Sequence, residues 1–453
     1  MTTRDLTLLA LLLSLALTAV ACGEEETRTH HSRFADSTTC ASCHQDHYTE
    51  WSQSMHAQSG RDPIFRAMFD KGQRDTNGAV GGFCISCHAP MALRTGASEN
   101  GDNLDELPDE LTGIGCVFCH TVDAVEGTDN NPLKLGDPQV LFGAITNPQP
   151  NDSHASAYSP LTDRNNIESS VMCGSCHDVK LGSGLLVEKT YVEWQGSLFA
   201  HPTSGNGLSC TACHMRGRDA RVAGPESPMR RHHDHTLAGV DVPYGLEPGA
   251  EGLEEAKAAV DKALEGNIRL YLCVYPRNDG ADVLATVENV GAGHSWPSGA
   301  SHYRRAWVEL EAWSGDELVY QNGTIADDEA VPSDDPDMVV LRSHFYDADD
   351  NEVIGAWAAV RHRADLLPAP TAPSPQDPAW TNTHLQHRYN IRTGVPDKIV
   401  VRAKIRPMAF EVLDELIDSG DLNPEVRDRI PTFTLDSSRL EWRQGDAVDP
   451  ICP

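Results

Sequence analysis

The pattern of apolar and polar positions divides the chain into stretches of different character. After an apolar run from Leu6 to Val20, the residues up to about position 242 hold few long amphipathic segments, and Asp102–Leu111 and Leu141–Pro160 are rich in turn residues. The character changes after Pro243. Pro243–Gly252 is a Gly/Pro-rich linker, and Leu253–Glu265 carries Leu253, Ala256, Val260 and Leu264 at helical spacing before Gly266. Strand-like runs follow at Ile268–Val274, Val283–Val290, Ala306–Ala312, Val339–Phe345, Val353–Val360, Lys398–Ile405 and Thr432–Trp442, several alternating with period two. Turn residues separate them, Pro368–Pro378 is a proline-rich loop, and Ala409–Ile417 reads as one short helix. The expected fold class is α+β and multidomain, a loop-rich, short-helix region followed by an antiparallel, β-sandwich-like domain. The implied division is 1–21, 22–37, 38–242, a linker and helix at 243–266, and a β-domain at 267–453.

The first 21 residues read as an export signal. Arg4 gives a short basic start beside Asp5, and Leu6–Val20 is too short for a comfortable membrane span. Ala19-Val20-Ala21 fits a small-x-small cleavage site and Cys22 follows at once, which resembles a bacterial lipobox with Cys22 lipidated. Ala19 stands where lipoboxes most often have Leu, so plain secretion is the alternative. Gly23–Ser37 is polar and suits a tether, and no other segment is apolar enough to span a membrane. The expectation is an exported, periplasmic or cell-surface lipoprotein, held at the outer membrane by its lipid alone.

Composition sharpens this. At 453 residues the chain exceeds what one hydrophobic core usually organises. Its 67 acidic against 36 basic residues give a net charge of −31, which argues against nucleic acid or anionic headgroups as partners. The anomaly is 13 cysteines and 20 histidines. Ten of the cysteines fall into five Cys-x-x-Cys-His strings. They are Cys40, Cys43 and His44; Cys84, Cys87 and His88; Cys116, Cys119 and His120; Cys173, Cys176 and His177; and Cys210, Cys213 and His214. Chance would supply roughly 0.02 copies of this c-type haem attachment motif. Two thiols three positions apart reach the two vinyl groups of one haem, and the adjacent histidine meets the iron. Zinc sites and disulfides have no reason to place a histidine after every pair. Five covalent haem c groups are therefore expected. Cys273 and Cys452 lie outside this region, either as a disulfide or as two unpaired thiols.

The second axial position of each iron needs a further ligand. Tyr48-Thr49-Glu50-Trp51-Ser52-Gln53-Ser54 recurs as Tyr191-Val192-Glu193-Trp194-Gln195-Gly196-Ser197, each copy leading into a histidine, His56 or His201. At helical spacing Tyr and Trp would pack on a macrocycle while the histidine projects one to two turns later. His56 and His201 are therefore candidate distal ligands. His47 lies three residues past His44 and reads as a surface residue. Met55 and Met215 are the methionine alternatives, in weaker context.

The string from Cys40 to His56 resembles cytochrome c-554 and related multihaem cytochromes, as does Asp152-Ser153-His154 ahead of Cys173-Gly174-Ser175-Cys176-His177. His235-Thr236-Leu237-Ala238-Gly239 looks like a further ligand segment of that group. The resemblance spans roughly residues 38–242 and implies His154 and His235 as distal ligands, with His232 and His233 close enough to substitute for His235. Gly293-His294-Ser295-Trp296-Pro297, followed by Arg304 and Arg305, resembles a loop-and-strand signature C-terminal to the haems of the group. His294 is thus a candidate cap or a turn histidine, and Arg304 and Arg305 are candidates for haem propionates.

The expected function is electron transfer along closely packed, mostly bis-His haems in a respiratory chain, with redox proteins bearing a cationic docking face as partners. The alternative is an oxidoreductase acting on nitrogen or sulfur oxyanions, or on hydroxylamine, through one open haem. No catalytic side chain is assigned.

Overall fold

The computed structural model describes residues 36–201, 207–333, 335–372, 383–447 and 452. The expected signal, Cys22 and nearly all of the tether lie outside the described residues. Among those described, no helix is long and apolar enough to cross a membrane.

The C-terminal half is built on two antiparallel sheets. One has three strands, His384–Ile391, Gly280–Asn289 and Ile268–Arg277 in that order. The other runs Arg361–Asp365, Val340–Tyr346, Arg305–Ser314, Lys398–Arg406 and Phe433–Arg443, with Glu317–Asn322 turning back onto Arg305–Ser314. Alternation sets the faces: Leu270, Leu272, Val283, Ala285 and Val287 of the first sheet meet Val308, Leu310, Ile399, Val401 and Ala403 of the second in one core. Helices Leu253–Leu264 and Phe410–Asp418 close that core with Val260, Leu264, Leu413 and Leu416. Cys273 and Cys452 form a disulfide, tying the chain end to the strand Ile268–Arg277.

The periodicity misses some elements. Glu317–Asn322 and His384–Ile391 are strands with few buried positions, so their apolar signal is thin. Val353–Val360 is not a strand. It holds a short 3₁₀ turn at Ala356–Ala358, and the strand begins only at Arg361. Val353, Ala356 and Ala359 pack on Val187, Leu181 and Leu185 instead, covering a hairpin of the N-terminal half.

That half consists of short helices and two-stranded ribbons. Its longest helix, Pro63–Asp75, starts at Asp62, whose carboxylate accepts the Ile64 and Phe65 N–H groups, with proline in the first turn. Ile64, Ala67 and Met68 on one face join the same core as the β-sandwich, together with Val240, Val242 and Tyr244. Arg74 adds a two-pronged ion pair to Asp421, with both N–O distances 2.5 Å. The halves therefore share a hydrophobic core, in which each fully buried side chain of this size contributes about 1.5–3 kcal/mol.

Candidate haem-binding sites

Each of the five motifs sits at a short helix: Thr38–Ala41, Gly81–His88, Cys116–His120, Ser170–His177 and Cys210–His214. In the last four, thiols at i and i+3 lie on one helical face, and all ten motif cysteines are free. The helices gather closely. The Cys40 thiol lies near that of Cys116, Cys173 near that of Cys210, and Cys87 near that of Cys176. The Cys119 thiol lies within electrostatic reach of Cys173 and Cys176.

Cys43 is an exposed motif cysteine. The helix Thr38–Ala41 stops short of it, so Cys43 stands in the turn beyond and is exposed, whereas Cys40 is half-buried. The Cys43 backbone is nevertheless fixed. Cys43 N–H bonds the Cys40 carbonyl at 3.2 Å, and the Cys43 carbonyl accepts Gly224 N–H at 2.8 Å. Cys213 is exposed as well, although it lies within its helix.

Opposite four motif histidines stands a second imidazole. Ring centres are 6.3 Å apart for His44 and His154, 6.2 Å for His56 and His177, and 6.3 Å for both His120–His235 and His214–His294. Two metal–nitrogen bonds of about 2 Å, plus about 1 Å from each nitrogen to its ring centre, require about 6 Å. The rings are also held the right way round. The Nδ1 atoms of His44, His88, His120 and His214 lie 2.5, 3.2, 2.6 and 3.0 Å from the carbonyls of Val222, Ser59, Phe142 and Ala238. Those of His154, His235 and His294 lie 3.2, 2.7 and 2.8 Å from the carbonyls of Ala155, His233 and Ser295. With Nδ1–H donated to a carbonyl, Nε2 keeps its lone pair for a metal. Burial, with lesser help from neighbouring imidazoles, pushes His56 down to about 3 and His177 and His235 down to about 4, so these rings stay neutral, as ligation needs. Free thiols in register, neutral facing imidazoles and anchored Nδ1 atoms all fit haem c.

Residues 39–121 match the family model for cytochrome c554 and c-prime. Over that segment the chain is similar to multihaem c-type cytochromes of that group. A penta-heme cytochrome c552 from Thermochromatium tepidum shares the fold, with a TM-score of 0.61 at 18% identity, over 90% of this chain and 99% of that one. No curated protein matches. A cytochrome of this kind carries covalently bound haem c and serves electron transfer.

His88 differs from the other motif histidines. Phe65 stacks flat on its imidazole at 4.0 Å, and no imidazole faces it among the described residues. His201 is exposed. In the two repeats Ser54 and Ser197 each cap a turn with the side-chain oxygen, and two residues on stand His56 and Phe199. The repeat therefore registers His56 with Phe199, and His201 falls past it. His232 is fully buried and bonded to Glu50 at 2.8 Å, which removes it as a substitute for His235. His47 is no surface residue: it packs 4.0 Å from His232 and 4.8 Å from His235, and meets His44 edge-on at 5.8 Å.

Of the arginines read as propionate partners, Arg305 is consumed by Glu411 and the carbonyls of His302 and Arg304, inside the β-domain. Arg304 clasps Asp241 at 2.8 and 3.0 Å.

The repeat is structural as well as sequential. Trp51 donates its indole N–H to the Ile114 carbonyl at 2.8 Å, and Trp194 to that of Leu208 at 3.0 Å, each acceptor two residues ahead of a motif. Cys116 N–H bonds the Ser37 hydroxyl at 3.3 Å and Cys210 N–H that of Ser170 at 3.1 Å, each serine three residues ahead of another motif. Two units thus each pair two motifs, Cys40 with Cys116 and Cys173 with Cys210. The Cys84 motif is an insertion within the first. In the second unit Tyr191 presses so closely on the motif helix that a Cβ on Gly174 would stand 2.3 Å from its Cγ. Gly174→Ala is expected to destabilise the protein by about 1–3 kcal/mol, read as a lower thermal midpoint of the holoprotein.

Proposed function

We propose that this cytochrome is an exported electron carrier with five covalent haems, one at each Cys-x-x-Cys-His motif. In this reading His154, His56, His235 and His294 are the sixth ligands to the irons held by His44, His177, His120 and His214. The observation that carries it is the set of four imidazole pairs spaced 6.2–6.3 Å apart. The five motifs, and a structural neighbour named as a penta-heme protein, support the number.

When bound, haem supplies one-electron redox chemistry, and two imidazoles favour a lower potential than a histidine–methionine pair. The chain's own part is to hold and order the sites. Carbonyls at Nδ1 fix the rings of His44, His120, His154, His214, His235 and His294, and burial keeps those of His56, His177 and His235 neutral. The thiol contacts arrange the motifs in the order Cys40, Cys116, Cys173, Cys210, with Cys84 branching beside Cys173 through Cys87 and Cys176. The motifs at Cys40 and Cys210 end this line and serve as entry and exit, which suits the exposure of Cys43 and Cys213. At a net charge of −31, the fitting redox partner presents a cationic face. Leu6–Val20 and the Ala19-Val20-Ala21-Cys22 string support export with a lipid anchor at Cys22 in the outer membrane.

A second reading rests on His88, which lacks a facing imidazole among the described residues. An iron there would keep an open side and suit an oxidoreductase for nitrogen or sulfur oxyanions or for hydroxylamine. Intact-mass spectrometry of the holoprotein tests the count, with five haem adducts expected. Assays with nitrite, sulfite and hydroxylamine separate the two readings. The carrier reading expects no turnover, and turnover abolished by carbon monoxide would replace it with the second.

A further inference from the structure

The repeated Glu-Trp pair holds both sides of one imidazole pair in each unit. Trp51 holds the Ile114 carbonyl, at the entry to the Cys116–His120 motif. Glu50, one residue earlier, accepts the backbone N–H of His235 at 3.0 Å, and His235 is the ring facing His120. In the second unit Trp194 holds the Leu208 carbonyl ahead of Cys210–His214. Glu193 accepts the backbone N–H of Ser295 at 3.2 Å and the Ser298 hydroxyl at 2.7 Å, and His294, facing His214, directly precedes Ser295. The two distal loops come from different parts of the fold, one beside the ribbon Met229–His233 and one from the β-domain, yet the same repeat position receives both.

We propose that Glu50 and Glu193 are equivalent positioning residues, each fixing the loop that delivers the distal histidine, His235 or His294, to the second iron of its unit. The proposal rests on the reading of those histidines as sixth ligands. A carboxylate accepting main-chain N–H and hydroxyl bonds is a strong, directional anchor, because charge-assisted hydrogen bonds are short and roughly twice as strong as neutral ones. Glu50 also holds His232 and Arg218, which brace its own orientation. The loop holding His294 hangs more directly on its carboxylate, so Glu193 gives the cleaner test.

The experiment compares holoprotein carrying Glu193→Ala, Glu193→Gln and His294→Ala by electron paramagnetic resonance and by carbon monoxide titration of the reduced form. His294→Ala frees one iron and adds about one equivalent of carbon monoxide per chain. Glu193→Ala should shift the low-spin signal of one haem alone and bind part of that extra equivalent. Glu193→Gln keeps an acceptor oxygen and should recover most of both readouts, whereas a further variant, Glu193→Met, keeps the side-chain volume without an acceptor and should not; a purely packing role would predict recovery in both. The positioning role is overturned if Glu193→Ala matches the parent in both readouts, or disturbs every haem alike, while His294→Ala gains its equivalent. Should His294→Ala itself bind no additional carbon monoxide, the ligand reading fails and takes the proposal with it.

Discussion

Replacing His56 by alanine is expected to raise carbon monoxide uptake of the reduced holoprotein from about one to about two equivalents per chain. The ring of His56 stands 6.2 Å from that of His177. Its backbone is secured without the side chain: the His56 carbonyl accepts Ile114 N–H at 2.8 Å, and Ser54 caps the turn through Ala57 N–H at 3.3 Å. Truncation should therefore remove a ligand and leave the fold standing, exposing one iron. The new signal should be high-spin, and small external ligands should occupy the vacated side. His201→Ala is the control suggested by the register of the repeats. His201 is exposed, and its removal should leave uptake unchanged.

Cys452→Ser is expected to lower the free energy of unfolding by about 2–5 kcal/mol, measured as the shift in a urea transition followed by the β-sheet circular dichroism band. The disulfide joins residues 179 apart, so it restricts nearly the whole C-terminal half of the unfolded chain. Cross-link entropy grows with loop length, which places this bond at the upper end of the usual range. Cys273 is buried in the strand Ile268–Arg277, so its thiol should remain shielded after the partner is lost. Spectra of the haem groups should barely change, because the bond lies outside the motifs. A shift below about 0.5 kcal/mol would mean that the bond contributes nothing beyond what packing already supplies.

The sequence reveals the attachment sites because their chemistry is local: two thiols and an imidazole within five residues. What it does not reveal is which thiols the fold covers, so the exposed turn position of Cys43 emerges only from the structure. The distal ligands are harder, since each is brought to its iron by tertiary folding from elsewhere in the chain. His56 and His154 are visible through a repeat and a resemblance. His294 needed the β-domain in place, and only the structure sets it opposite His214. His201 is attractive in sequence because it follows the second Tyr-x-Glu-Trp, but equivalent serine caps align Phe199 with His56 instead. Likewise, helix Pro63–Asp75 announces itself in Asp62-Pro63 and in the spacing of Ile64, Ala67 and Met68, a signal overshadowed by the motifs around it. In the β-half, central strands such as Val283–Val287 are legible as apolar runs. The strand His384–Ile391 buries only Tyr389 and Ile391, and a half-exposed edge leaves little pattern to read.

The most direct measurement is electron paramagnetic resonance of the oxidised holoprotein, joined to carbon monoxide titration after reduction. The account predicts low-spin signals from about four irons in five, and about one equivalent of carbon monoxide bound per chain, at the His88 site. Uptake of two or more equivalents by the unaltered protein would contradict the four imidazole pairs, and uniform low-spin spectra with no uptake would contradict the open side at His88.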